Sequence, residues 1–150
     1  MDLGKLIAEK RKNLTTWVTF DDCFAIELAY TERRELERMV ERSKKSVWKR
    51  HQQVEDYDDE RFNVQLSTKI VDWKDLTLGK LAGLTNIDLA DSDPDQTIPC
   101  TEENKVTLLT EIYGLNTFIR DTIMDIAVFR ENKAEAQRKN SPASQGSSKG

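Results

Sequence analysis

The chain has 150 residues, 37% hydrophobic and 33% charged, which suits one polar globular domain with a core of its own. Its net charge of −4 argues against a dedicated nucleic-acid binder, and its longest apolar run, Ile126 to Phe129, falls far short of the roughly 20 residues that span a bilayer. Cys23 and Cys100 lie far apart and read as reduced, partly buried residues, and a lone His51 excludes a histidine-based metal site.

Residues 1–13 read either as a short helix carrying Leu3, Leu6 and Ile7 or as a flexible leader, and they lack the apolar h-region of a secretory signal. Next, Thr16 to Phe20 and Cys23 to Tyr30 flank an Asp21-Asp22 pair. Phe24, Ile26, Leu28 and Tyr30 alternate with small or charged residues, which predicts a β-hairpin with the aspartates at its turn. Such a hairpin needs a helix or a further strand to cover its apolar face.

Thr31 is a candidate cap for a helix over 32–50, with Leu36, Met39, Val40 and Val47 as a thin apolar stripe. From Thr31 to Arg50 there are eight Lys or Arg against four Glu, so a DNA-associated or regulatory module using the basic stretch 33–50 is the alternative function. Glu55 to Glu60 reads as an acidic linker in which Asp58 or Asp59 caps the next helix. There Phe62, Leu66, Ile70 and Trp73 align at helical spacing, and Gly79 and Gly83 punctuate the leucines that follow.

Asn86 to Glu103 forms an acidic loop without Lys or Arg. Asp91, Asp93, Asp95 and Glu102 occupy positions 1, 3, 5 and 12 of an EF-hand loop, but Gln96 stands where the sharp turn calls for glycine, and Pro94 and Pro99 stiffen the backbone. No metal or other cofactor is therefore expected. Nor is catalysis, because no phosphate loop, Cys/His cluster or Ser-His-Asp set is present.

Thr101 then opens a helical stretch to Lys139, with Leu108, Leu109, Ile112, Leu115, Ile119 and Ile123 on one face. Unbroken it would be about 58 Å long, against about 40 Å for a compact domain of this size, which predicts a kink at Gly114, a new cap at Asn116 and fraying beyond Glu131. Tyr113, Phe118, Met124 and Phe129 flank its apolar face as candidate partner contacts, and Trp73 is a fifth. Residues 140–150 are Ser/Gly-rich and read as a disordered tail after a single domain over 14–139. The expected fold class is α+β, mainly α-helical, with the N-terminal hairpin packed on a small helical domain.

Two stretches carry a resemblance. Val71-Asp72-Trp73-Lys74-Asp75-Leu76, and Thr97-Ile98-Pro99-Cys100-Thr101-Glu102-Glu103-Asn104 leading into the last helical stretch, resemble the tail assembly chaperones of long-tailed bacteriophages. The resemblance spans roughly residues 14–140 and departs from the family at Cys100, where an aromatic is commoner, and at 93–96, where the family often has Asp-Gly. It implies a non-enzymatic chaperone of the host cytoplasm, absent from the mature virion. Such a protein binds and solubilises the tape-measure protein, helps recruit tail tube subunits, can act as a homo-oligomer, and engages neither membrane nor, as a rule, nucleic acid.

Overall fold

The computed structural model describes residues 1–139, so the tail expected over 140–150 lies outside the described residues. The fold is α+β and mainly helical, with two small antiparallel sheets. A helix α1 (Leu3–Arg11) precedes the N-terminal hairpin of β1 (Thr15–Phe20) and β2 (Phe24–Ala29). Asp21 and Asp22 both take positive φ, +53° and +51°, in the turn; aspartate is among the few residue types that tolerate this region. Phe24, Ile26 and Leu28 point inward and are buried, as their alternation predicts.

Helix α2 (Arg33–Arg42) is shorter than the sequence suggests. The helix expected to reach Arg50 ends at Ser43, whose hydroxyl donates to the Met39 carbonyl at 2.6 Å. Thr31 is not its cap: it is buried, its hydroxyl donates to the Ala29 carbonyl, and Glu32 holds the N-cap position. Residues 44–57 instead form a second hairpin, β3 (Lys44–Lys49) and β4 (Gln52–Tyr57), with Val47 opposite Val54. The two-residue turn is Arg50-His51, both at positive φ, as the primed hairpin turns require. His51 thus sits at a hairpin tip, and the first part of the acidic linker expected over 55–60 is strand up to Tyr57.

Asp58 caps α3 (Asp59–Ser67), accepting from the Glu60 and Arg61 amides. Phe62 and Leu66 are buried on this helix, but Ile70 and Trp73 lie on β5 (Ile70–Lys74), which adds to β2 to give the order β1-β2-β5. The β2–β5 register shifts so that Glu27 faces Asp72 and Leu28 faces Ile70. Val71 is left without an opposite residue, and Ile70 and Trp73 therefore reach the same face. A strand irregularity thus mimics the three-residue spacing of a helix. Thr77 caps α4 (Leu78–Thr85), which ends at Asn86 in the left-handed region.

The stretch after Thr101 is three helices: α5 (Glu102–Glu111), α6 (Leu115–Ile123) and α7 (Ile126–Lys139). Thr101 caps α5 by accepting from the Asn104 amide at 3.2 Å. The N-cap of α6 is Gly114, at φ +84°, and not Asn116. Asn116 donates its side-chain amide to Asn63, which in turn donates to Thr110 at 3.3 Å, so one polar chain ties α3, α5 and α6. A further break at Met124 and Asp125 starts α7, where Asp125 accepts from the Ala127 amide; α7 stays helical past Glu131. Leu115, Ile119 and Ile123 of α6 are fully buried on the sheet, beside Phe62 and Leu66 of α3 and Leu108 and Leu109 of α5.

Two predictions test this frame. A Cβ at Gly114 meets open space, so Gly114→Ala is penalised by backbone strain alone and should lower stability by about 1 kcal/mol, whereas Gly83→Ala, inside α4 and equally open, should raise it by about 0.5–1 kcal/mol in urea titrations. The Lys45 ammonium, 3.2 Å from Asp58, together with the amides it caps, holds that carboxyl below its ordinary value of 3.8. A lowered carboxyl stabilises the fold above the unfolded-state value and ceases to do so as pH falls through the folded one. Asp58→Asn keeps a capping side chain, so its melting-temperature deficit at pH 7 should close as the pH drops below about 3.8.

Candidate functional site

The five candidate contact residues do not share a face. Trp73 and Phe129, at 6% and 1% exposure, belong to the core. The Trp73 indole Nε1–H donates to the Ile98 carbonyl at 2.7 Å, and Phe129 meets Tyr30 edge-on at 5.4 Å. Phe118 is half-buried and stands edge-on to Phe20 at 5.3 Å, so it too covers the hairpin. Tyr113, at 97% exposure, stands alone between α5 and α6. Met124 alone borders a groove.

That groove, about 390 Å³, runs between α2 and the end of α6. Leu36, Val40 and Met124 supply its apolar floor, and Glu37, Glu41 and Arg120 lie along its rim. Leu36 and Val40 are one helical turn apart and so line the same face of α2. Arg120 is fixed over the Phe62 ring at 5.2 Å, which leaves its guanidinium at the groove edge as a donor that needs no reordering. A thioether on two aliphatic neighbours is a soft, adaptable surface for an incoming apolar side chain, and the surrounding charges set its orientation. The thin stripe of α2 signals Leu36 and Val40 in sequence; their neighbour Met124 lies 84 residues away from Val40 and is a tertiary fact.

The basic stretch 33–50 divides between α2 and β3. Five of its eight cations have carboxylate partners: Arg38 and Arg42 with Glu35, Lys44 with Glu41, Lys45 with Asp58, and Lys49 with Asp56. Trp48, overlooked in the sequence, is 74% exposed on β3, but strand alternation sends it to the face opposite Lys45 and Lys49. The basic helix of the alternative function is therefore not a continuous element.

In the acidic loop the carboxylates hold backbone. Asp93 accepts from the Asp95 amide at 2.9 Å, Asp88 from the Ala90 amide at 2.9 Å, and Glu102, at the start of α5, pairs with Lys105 at 3.0 Å. Among the described residues no group of three or more His, Cys, Asp or Glu side chains is brought together where a metal could sit, Asp91 included. The loop is pinned to α4: the Gly79 amide donates to the Pro94 carbonyl at 2.8 Å, and a Cβ there would meet the Pro94 carbonyl oxygen at 3.1 Å. Burial pushes the Cys100 thiol above its ordinary range, and the side chain packs against the core. No described helix is long and apolar enough to cross a membrane.

The two stretches singled out in the sequence are joined. Besides the Trp73–Ile98 bond, the Ile98 amide donates to the Leu76 carbonyl at 3.0 Å, and the Asn104 side-chain amide donates to the Pro99 carbonyl at 2.9 Å. Trp73, the Ile98-Pro99 turn and the first turn of α5 are one hydrogen-bonded unit. No family model, curated protein or solved structure matches the chain. Trp73→Phe keeps most of the ring and leaves the Ile98 carbonyl without its donor, so unfolding free energy should fall by about 1–3 kcal/mol in denaturant titration.

Proposed function

We propose that the chain is a tail assembly chaperone of a long-tailed bacteriophage. In this role it binds the tape-measure protein in the host cytoplasm, keeps it soluble and helps recruit tail tube subunits, and it is left out of the finished virion. Support rests on one observation: the two stretches that resemble this family, around Trp73 and around Ile98-Pro99, meet through the Trp73 indole and act as a single unit at the head of α5. The α2–α6 groove gives the role a physical means. A long client with apolar helical repeats exposes side chains that must be sheltered one at a time, and Leu36, Val40 and Met124 form a small apolar seat on a charged rim. With Phe129 and Trp73 in the core and Phe118 against Phe20, the client surface proposed here is this groove and not the flank of the C-terminal helices.

The test is co-expression with the tape-measure protein encoded beside its gene. The soluble fraction of the client should rise in the presence of this chain, and Met124→Glu should cut co-purification about tenfold while circular dichroism stays unchanged. A client that stays insoluble with the unmodified chain refutes the chaperone role. Undiminished co-purification with Met124→Glu refutes the groove.

A further inference from the structure

A second concave surface adjoins the groove along α2, sharing Arg33 and Glu37 with it. Where α1 approaches its N-terminal end, two adjoining clefts of about 780 Å³ and about 330 Å³ share Ala8, Arg11, Glu32 and Arg34. Seven cations and three carboxylates line the pair, a surplus of four positive charges in a chain whose net charge is −4. Arg11 is engaged by Glu32 at 3.2 Å and Arg38 by Glu35 at 3.3 Å. The other five, Lys5, Lys12, Arg33, Arg34 and Lys69, have no carboxylate within 4.0 Å among the described residues.

The apolar element of the same surface is Ile7 of α1, with Leu3 one helical turn before it. No residue of α1 is buried; Leu3, Leu6 and Ile7 are 62%, 41% and 40% exposed, and Ile7 lines the larger cleft. Gly4, Ile7, Ala8 and Arg11 recur at three- and four-residue steps, so one face of α1 forms one wall while Arg33, Arg34 and Glu37 of α2 form the other.

We infer that the α1–α2 cleft binds an acidic amphipathic helix of a protein partner. Two helices flank an open trough, whose concavity suits a rod about 10 Å across better than a flat bilayer. The exposed aliphatic side chains of α1 call for apolar side chains on the partner, which a polyphosphate lacks. Glu32, Glu35 and Glu37 stand among the cations and repel a uniformly charged polyanion, whereas a helix can set its carboxylates against the cations alone. The one ring in the lining, Tyr30, is already engaged by the Arg11 guanidinium at 5.6 Å and by Phe129 at 5.4 Å, and offers no open face for a base. Charge and shape come from α1, α2 and Lys69, so the inference stands whether or not the chain serves tail assembly.

Fluorescence anisotropy on the full chain tests it, using a labelled synthetic peptide of about 18 residues with Glu on one helical face and Leu on the other, roughly 27 Å of helix. The peptide should bind at low salt and weaken steadily as salt rises, and Lys5→Glu with Arg34→Glu should weaken it about tenfold. Both side chains are exposed, so circular dichroism of the double variant should match the unmodified chain. Leu3→Ser with Ile7→Ser should weaken the peptide while preserving the salt dependence. The inference fails if the peptide does not bind, if either double variant binds it unchanged, or if the same peptide with Lys for Glu binds equally well. It fails equally if duplex DNA or phosphatidylserine vesicles bind more tightly than the peptide in the same buffer.

Discussion

Burial of Phe24, Ile26 and Leu28 along the central strand β2 is the constraint on which the remaining architecture depends. The strands beside it are five or six residues long, and a sheet so small cannot shield its own apolar face. Cover comes from helices of eight to fourteen residues, none able to do the work alone. The chain must therefore turn back repeatedly over one patch. Gly114 at φ +84° and the break at Asp125 serve that need, delivering Leu115, Ile119 and Ile123 directly onto β2. The Thr31 amide donates to the Ile123 carbonyl at 2.7 Å and fixes the end of α6 to the strand it covers. The surplus apolar surface after Thr101 is thus consumed largely at home.

What could be read from sequence was local. Caps at Asp58 and Thr101, the Asp21-Asp22 turn and the alternation of β2 are set by residues within four positions of each other, and they appear where their chemistry puts them. The misread regions are those where local signals conflict. Lys44 to Arg50 continues the charge pattern of the preceding helix, yet Val47 pairs with Val54 across a turn that contains neither Gly nor Asn. Ile70 and Trp73 sit three apart because the register shifts around Val71, and periodicity alone cannot distinguish that from a helical step. The candidate contacts fared by the same logic. An aromatic beside an apolar stripe looks identical in sequence whether it meets solvent or, like Phe129 against Tyr30, another ring. Of the five, only Met124 lines a groove, beside Leu36 and Val40 of α2.

Helix α2 emerges as the wall shared by two different surfaces. Its Leu36 and Val40 face α6, its Arg34 faces α1, and Arg33 and Glu37 border both. Only Leu36 and Met39 are buried, which frees the remaining positions for outward contacts at little cost in stability.

One contact in the last described helix bears on how the molecule is made. Asn132 reaches back 116 residues to donate to the Thr16 hydroxyl at 2.9 Å, and also to the Trp17 carbonyl at 3.2 Å, so α7 lies along the outer strand β1. Outer strands are templates for foreign strands until something occupies them. Strands β1, β2 and β5 all precede α7 in the chain, so any folding species that forms the sheet before α7 docks leaves that side uncovered. Docking of α7 is what covers that side of the sheet.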